Sequence, residues 1–449
     1  MCASLGGLTE VLNERARVMK SFITSICLCA VMCSMEVLGA TLTVPTQYPT
    51  IQAAINAASP NDTIIVSPGT YVENINFYGK DITLTSTDPG DPTIVESTII
   101  DGNQNGSVVT FSGSETPICV LKGFTISRGG GISGNNTEAG IINCIVEHNW
   151  DLSWLGAGLR QCDGLISGCQ IMNNFTDGYL DPMEGVVLGT GGGLYDCGGI
   201  IINCIIARNT AGDGGGLAYC SAAIINCTIV NNLAGDDQGA SGGGLYQCSG
   251  PIINSIIWNN TAWWSGDQLY DSSIPIYSCI QDWTGGGTGN INSDPLFADV
   301  PNDDYHLKSE YGRWEPPETI LNDNGTPTDP NDDFWEVVSL GQWVYDTLTS
   351  PCIDAGDPAS DWTAELWPHG GRINMGAYGG TPQASMSPSA IGNVADLDHD
   401  NDVDTDDFIL LSGDWLYAEY LLDTDLTRDG RVDLSDFAAF ANQWQWLEP

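Results

Sequence analysis

Four stretches of the chain are copies of one another: GAGLRQCDGLISGCQIMNN (156–174), GGGLYDCGGIIINCIIARN (191–209), GGGLAYCSAAIINCTIVNN (214–232) and GGGLYQCSGPIINSIIWNN (242–260). Counted from the leucine of each copy (Leu159, Leu194, Leu217, Leu245), a Cys stands three residues on, at 162, 197, 220 and 248. Ten residues on stand Cys169, Cys204, Cys227 and Ser255, and fifteen on stand Asn174, Asn209, Asn232 and Asn260. A fifth, more divergent copy runs through Leu269 and Cys279, the latter again ten from its leucine. An irregular copy precedes the set, with Ile132, Cys144 and Asn149. Only the connection to the next leucine varies, so the pattern is a constant repeat with variable loops, which is a solenoid. The segments between are short, β-branched and alternating, hence strands. In-register parallel strands stack equivalent side chains about 4.7–4.9 Å apart. Leu and Cys then fill a narrow interior, and the Asn at +15 sits in a tight turn, tolerating left-handed backbone and bonding amide to amide.

Upstream, TIIVSPGTYVENINFYGKDITLTS (63–86) reads as earlier coils. Before it, Ile51, Ala54, Ile55 and Ala58 share one helical face behind an N-capping Thr50, a short helix that would cover the open end of the solenoid. The stretch TIQAAINAASPNDTIIVSPGTYVENINFYGKDITLTS (50–86) resembles the opening of right-handed parallel β-helix proteins of the pectate-lyase-like superfamily. The resemblance covers residues 41–290 and implies the fold. It leaves the activity open, since that fold carries lyases, hydrolases, adhesins and inert stalks.

Residues 22–35 (FITSICLCAVMCSM) form an apolar run after Lys20 and before Leu38-Gly39-Ala40, as in a secretory signal peptide spanning 1–40, with Met19 a plausible start. Export through it to the extracellular space or cell surface is expected, with no membrane insertion of the mature chain. The chain has 449 residues with 57 acidic and 13 basic side chains, a net charge of −44. That excludes a nucleic-acid binder working through cations. Eleven Cys follow residue 40. Stacked thiols on parallel strands point the same way, a poor geometry for bridges, so the ladder Cys are read as small apolar fillers.

NINSDPLFAD (290–299), SPCIDAGDP (350–358) and GRINMGAYGG (371–380) resemble the closing region of secreted β-helix proteins of the choice-of-anchor type. Residues 291–384 are read as a C-terminal cap with a loop over 315–333, and 385–393 as a linker. At 394–449 a second repeat appears: DLDHDNDVDTDDFILLSGDWL from Asp396 and DLTRDGRVDLSDFAAFANQWQ from Asp425. The first places Asp396, Asp398, Asp400, Asp404 and Asp407 at loop positions 1, 3, 5, 9 and 12, with the carbonyl of Asp402 at 7. The second places Asp425, Thr427, Asp429, Asp433 and Asp436 likewise, with Arg431 at 7. Calcium takes six to eight oxygens on such a loop, so about two ions are expected. The pair resembles a type I dockerin, a small all-α calcium module. The resemblance implies a cohesin-like or cell-surface partner contacting positions 10 and 11: Thr405 and Asp406, Leu434 and Ser435.

Counting forward from the Asn positions, Asp177, Asp213 and Asp236 follow successive turns, flanked by Trp154, Trp263 and Trp264. One residue past each leucine, and therefore pointing out, stand Arg160, Tyr195, Ala218, Tyr246 and Tyr270. Carboxylates beside Trp and Tyr fit a saccharide chain, through ring stacking and hydroxyl hydrogen bonds. Paired acids would serve a glycosidase; a lyase would draw its base from Arg160 or Arg208. A polysaccharide-binding or polysaccharide-degrading β-helix and a non-catalytic adhesive solenoid both stand.

Overall fold

The computed structural model describes residues 39–151, 155–176, 179–181, 185–187, 189–235, 239–322, 334–339, 341–389, 391–419 and 421–447. The leader, along with Trp154, Asp177 and Asp236, lies outside the described residues.

The chain from Thr41 winds into a parallel β-helix. One coil shows the rule. Leu194–Tyr195, Ile200–Ile202, Ile205–Ala207 and Thr210–Ala211 each pair in parallel with the equivalent strands of neighbouring coils. The resulting sheets have eight, nine, nine and five strands. Three corners of the coil are left-handed: Asp196 (φ 50°), Asn203 (φ 53°) and Arg208 (φ 55°). The left-handed residue at the third corner is thus the one before the ladder Asn, not the ladder Asn itself as the sequence suggested. Inside, Leu194, Ile201, Cys204 and Ile206 have no exposed surface.

Each ladder Asn is spent completely. Oδ1 of Asn209 accepts from N (3.0 Å) and Nδ2 (3.0 Å) of Asn174, and its own Nδ2 donates to the Ile171 carbonyl (2.8 Å). The pattern repeats through Asn149, Asn174, Asn209, Asn232 and Asn260, and Gln268 closes it by accepting from Asn260 Nδ2 (2.9 Å). A narrow interior cannot admit water, so these turn amides satisfy one another.

The cysteines explain themselves through the same corners. Each ladder thiol donates to the carbonyl two residues back, as Cys204 Sγ does to Ile202 O (3.2 Å) and Cys227 Sγ to Ile225 O (3.3 Å). Where Ser replaces Cys the bond persists, Ser255 Oγ to Ile253 O at 3.0 Å. A thiol here is a filler that also closes the corner. Burial pushes the Cys144, Cys169, Cys197 and Cys204 thiols well above their ordinary pKa, which keeps them neutral and unreactive.

Cys279 departs from the expected ladder. It pairs with Ile256, and Ser278 takes the ladder place, its hydroxyl accepting from Ser255 N at 3.1 Å. The fifth coil reaches its corner one residue early, and a one-residue shift turns Cys279 to the outer face.

The N-terminal end is covered as expected. Helix α1 (Ile51–Ala57) is capped by Thr50 and buries Ile51, Ala54 and Ile55. Glu73 accepts from Ile51 N (2.8 Å) and Gln52 N (2.9 Å), and Lys80 Nζ donates to the carbonyls of Ile55, Asn56 and Ala58. Charged groups of the right sign thus meet both helix ends. A short helix α2 (Pro92–Ser97), capped by Asp91, lies between the strands Thr83–Ser86 and Thr98–Asp101.

The described residues of 295–387 hold to the flank of the helix through several coils, where the sequence placed an end cap. Asn203 Nδ2 donates to the carbonyls of Ala377 and Gly379 (both 2.9 Å), Asn226 Nδ2 to Gly379 O (2.8 Å), and Asn254 Nδ2 to Ser360 Oγ (2.9 Å). The outer face of this sheet is apolar because it is covered: Met172, Ile205, Ala207 and Val230 pack on Tyr305 and Ala377. The loop expected at 315–333 is flanked by strands instead, Glu318–Asn322 pairing antiparallel with Phe334–Ser339.

Glu365 is buried within this segment, accepting from Asn374 N (2.7 Å) and Gly380 N (2.8 Å). Burial raises its pKa to about 8. The folded state then holds a proton that the unfolded state has released, so stability falls as pH rises from about 4.5 to 8. The slope is at most about 1.4 kcal/mol per pH unit. Glu365→Gln, which keeps an acceptor for both amides, should remove this slope from the pH dependence of the denaturation midpoint. An unchanged slope would mean Glu365 is charged where it sits.

Candidate functional site

Two places gather chemistry. The first is the outward face of the eight-stranded sheet. Arg160, Tyr195, Ala218, Tyr246 and Tyr270 are in direct register. Tyr219, unremarked in the sequence, fills the gap left by Ala218. It takes the left-handed corner (φ 56°) next to the alanine and swings its ring into the row. Ring centroids run Tyr195–Tyr219 5.9 Å, Tyr219–Tyr246 5.4 Å and Tyr246–Tyr270 5.4 Å, the last pair stacked. The available signal was a Tyr directly after the one Ala in a Tyr column.

The glycines three residues before each leucine make room for this row. Gly242 and Gly266 are left-handed (φ 70° and 72°), and a Cβ on either would stand 2.8 Å from the Cβ of Tyr246 or Tyr270. Trp263 and Trp264 stand just before Gly266, on the turn leading into Tyr270, and are 69% and 77% exposed. Exposure of that size on adjacent indoles is costly and marks a contact surface. Arg160 closes the other end, tied to Ser133 Oγ (3.1 Å) and Asp151 (3.0 Å). Arg208 is paired with Asp303 at 2.7 Å. Both bases weighed for lyase chemistry are thus held in ion pairs.

Asp213 does not belong to a row of acids among the described residues. Its bridge partner is Thr190, and the column runs Leu155, Thr190, Asp213, with Ser241 and Ser265 bridged in the next coils. Asp213 Oδ1 accepts from Ser241 N at 2.8 Å, so the carboxylate fixes the following coil. Counting forward from Asn groups it with Asp177 and Asp236, which lie outside the described residues. Asp213 nevertheless lies near the tyrosines. Burial, then the Asp213 charge, raise the Tyr246 pKa to about 12. Desolvation and Asp196 likewise raise Tyr195. These phenols stay protonated and serve as neutral hydrogen-bonding groups and ring faces. On a second short sheet, Trp150 pairs in register with Phe175, their rings 6.2 Å apart.

The second place is the C-terminal pair of loops, each leading into a helix: α3 (Thr405–Gly413) and α4 (Leu434–Gln443). The copies, 29 residues apart, are related by an internal two-fold exchange. Val403 N donates to Trp446 O (3.0 Å) and Val432 N to Tyr417 O (3.0 Å), each loop pairing with the segment after the other's helix. The loop backbones are superposable in their bonds. Asp396 accepts from the amides of Asp400 and Asn401, and Asp425 from those of Asp429 and Gly430. Asp407 and Asp436 each close a capping box with Asp404 and Asp433.

The donor set fits a hard cation. Carboxylate oxygens of Asp396, Asp398 and Asp400 lie within 4.8 Å of one another, as do those of Asp402, Asp404 and Asp407. Desolvation, and then the neighbouring Asp407 charge, raise the pKa of Asp396 and Asp398. In the second loop Thr427 Oγ1 is spent on Asp436 (3.0 Å). The side chain of Arg431 contributes no oxygen; only its carbonyl would serve at position 7.

Position 4 of each loop, left-handed in both, reaches the flank segment: His399 Nε2 is 3.2 Å from Thr363 O, and Arg428 Nη2 donates to Trp367 O at 3.2 Å. Ile409 (58%) and Leu434 (72%) remain exposed on the helices, beside Phe408 and Phe437.

A family model described as "Disaggregatase related" matches residues 223–330, the last coils and the start of the flank segment. No curated protein matches. Among solved structures, pectate lyase Pel9A aligns with 14% identity over 75% of this chain and 95% of its own (TM-score 0.33). The pectin methylesterase from Aspergillus niger aligns with 18% identity over 61% and 90% (TM-score 0.30). The rice weevil pectin methyl esterase aligns with 17% identity over 61% and 87% (TM-score 0.24).

Proposed function

We propose that the chain is an exported β-helix that binds an extended polysaccharide along its tyrosine row and is tethered through a calcium-dependent, dockerin-like module. The observation that carries the reading is the row itself: Tyr195, Tyr219, Tyr246 and Tyr270 on successive coils, ending at the exposed Trp263 and Trp264. Repeating ring faces at a repeating spacing fit a repeating ligand, and a sugar ring stacks on them through its C–H face. Asp196 and Asp213 beside the row disfavour a polyanion, so the ligand is a neutral glycan. The reading is one of binding. Hydrolysis through Asp213 would need a second carboxyl at about 5–9.5 Å, and Asp213 is committed to Ser241 N.

Calcium, held by Asp396, Asp398, Asp400, Asp404 and Asp407 and by their second-loop counterparts, would neutralise the crowded carboxylates and fix the loops. The exposed helix faces around Leu434 and Ile409 then offer a surface for a cohesin-like protein or a cell-surface component.

A glycan array followed by titration tests the first half. Tyr246→Ala and Trp264→Ala should each weaken binding by about tenfold, roughly 1.4 kcal/mol per ring. Asp213→Asn, which keeps an acceptor for Ser241 N, should leave it nearly unchanged. A catalytic site would reverse the order, with Asp213→Asn abolishing turnover at nearly unchanged affinity. No change in any variant would favour a non-catalytic adhesive solenoid that binds elsewhere.

A further inference from the structure

Cys279 and Cys352 stand outside the interior ladders and meet each other. Cys279 pairs with Ile256 on the outer face of its sheet, as the shortened fifth coil requires. Cys352 lies on the flank segment, held in place by Cys352 N donating to Ser350 Oγ (3.1 Å) and Met375 N donating to Cys352 O (2.9 Å). Both are fully buried in one apolar cluster with Ile256, Leu307, Ile353 and Met375. The Cys352 thiol is within hydrogen-bonding reach of the Cys279 thiol. Ladder thiols leave parallel strands in a common direction, whereas these two project from opposed surfaces, the helix flank and the segment laid on it. Opposed Cα–Cβ bonds are what a disulfide needs.

We propose that Cys279 and Cys352 form a disulfide that clasps the flank segment to the last coil. The oxidant is a small-molecule or protein disulfide. One cysteine thiolate attacks it, giving a mixed disulfide and releasing one thiol. The second thiolate then attacks the mixed disulfide, releasing the second thiol. The two cysteines are oxidised to one S–S bond, the reagent is reduced to two thiols, and the two cysteine protons pass to the leaving sulfurs. Both side chains are buried once the segment has closed, so exchange takes place as it closes and the bond is afterwards shielded. The ladder thiols, each bonded to its own corner carbonyl, stay reduced. The clasp joins residues 73 apart in sequence, a long loop whose closure constrains the unfolded chain. It depends neither on the glycan nor on calcium.

The test is to refold the full chain with oxidised glutathione in excess over reduced, alkylate after denaturation, and digest without reduction. A single cross-link between the peptides of Cys279 and Cys352 is expected, with the other nine described cysteines alkylated. The oxidised chain should also resist proteolysis within 294–387 severalfold better than the reduced chain. The Cys279→Ser/Cys352→Ser double variant should be cleaved at the reduced rate under both conditions. Alkylation of both cysteines, or cross-links between ladder cysteines instead, would overturn the proposal, as would a cross-link that leaves proteolysis of 294–387 unchanged.

Discussion

Removing calcium from the full chain is expected to unfold residues 394–447 and leave the β-helix intact. The module's own core is small: Ala395, Leu397, Val403, Leu411, Leu426, Val432 and Phe440. Against it stand buried acids, among them Asp396, Asp407, Asp425 and Asp436. A module so short of apolar interior would be held by the ions proposed for it, and their binding energy would become folding energy. Calorimetric titration should show saturable uptake of about two equivalents. Far-ultraviolet circular dichroism should show helix gained as calcium is added, from α3 and α4. The second site should be the weaker, because Thr427 offers a hydroxyl already given to Asp436, where the first loop offers the carboxylate of Asp398. Asp396→Ala should remove the tighter site and Asp425→Ala the weaker. Retention of full helix in chelator, or no uptake at millimolar calcium, would remove the dockerin-like reading.

Asn209→Ala is expected to destabilise the β-helix by about 3–6 kcal/mol, a large part of a stability of about 5–15 kcal/mol. The substitution strands three buried polar groups. The backbone N and Nδ2 of Asn174 lose their shared acceptor, and the Ile171 carbonyl loses its donor. No water can replace them, because Asn174 and Asn209 are almost completely enclosed. The same substitution at Asn203 should act differently. It removes two bonds to the flank segment and leaves the interior ladder whole. Denaturant midpoints, read together with proteolysis of 294–387, separate the two. A loss under about 1 kcal/mol for Asn209→Ala would mean that the ladder is decorative.

Much of this was legible in the residues. In-register parallel strands place like on like, so identity at constant spacing from Leu159 to Leu245 announced coils, and the inward Leu, the Cys fillers and the Asn chain followed from it. The outward Tyr195, Tyr246 and Tyr270 were legible for the same reason: they sit one residue from a fixed leucine. The paired loops at Asp396 and Asp425 were legible because a single continuous segment carries each whole loop and its helix.

What only the tertiary structure decided lies where sequence distance stops measuring space. Asp213 was counted forward from the preceding Asn; the backbone bridges it to Thr190, a residue that spacing from the Asn positions did not single out. Cys279 kept its distance from Leu269 and lost its ladder place, because the corner closed one residue early and alternation carried it outside. The corner residues Asn203, Asn226 and Asn254 have left-handed backbones (φ 53°, 48° and 53°). Their amides also hold a segment more than a hundred residues away, a contact no local spacing encodes. Local backbone periodicity writes register into the sequence; packing between distant segments is settled only when buried surfaces and unpaired polar groups find each other in the folded chain.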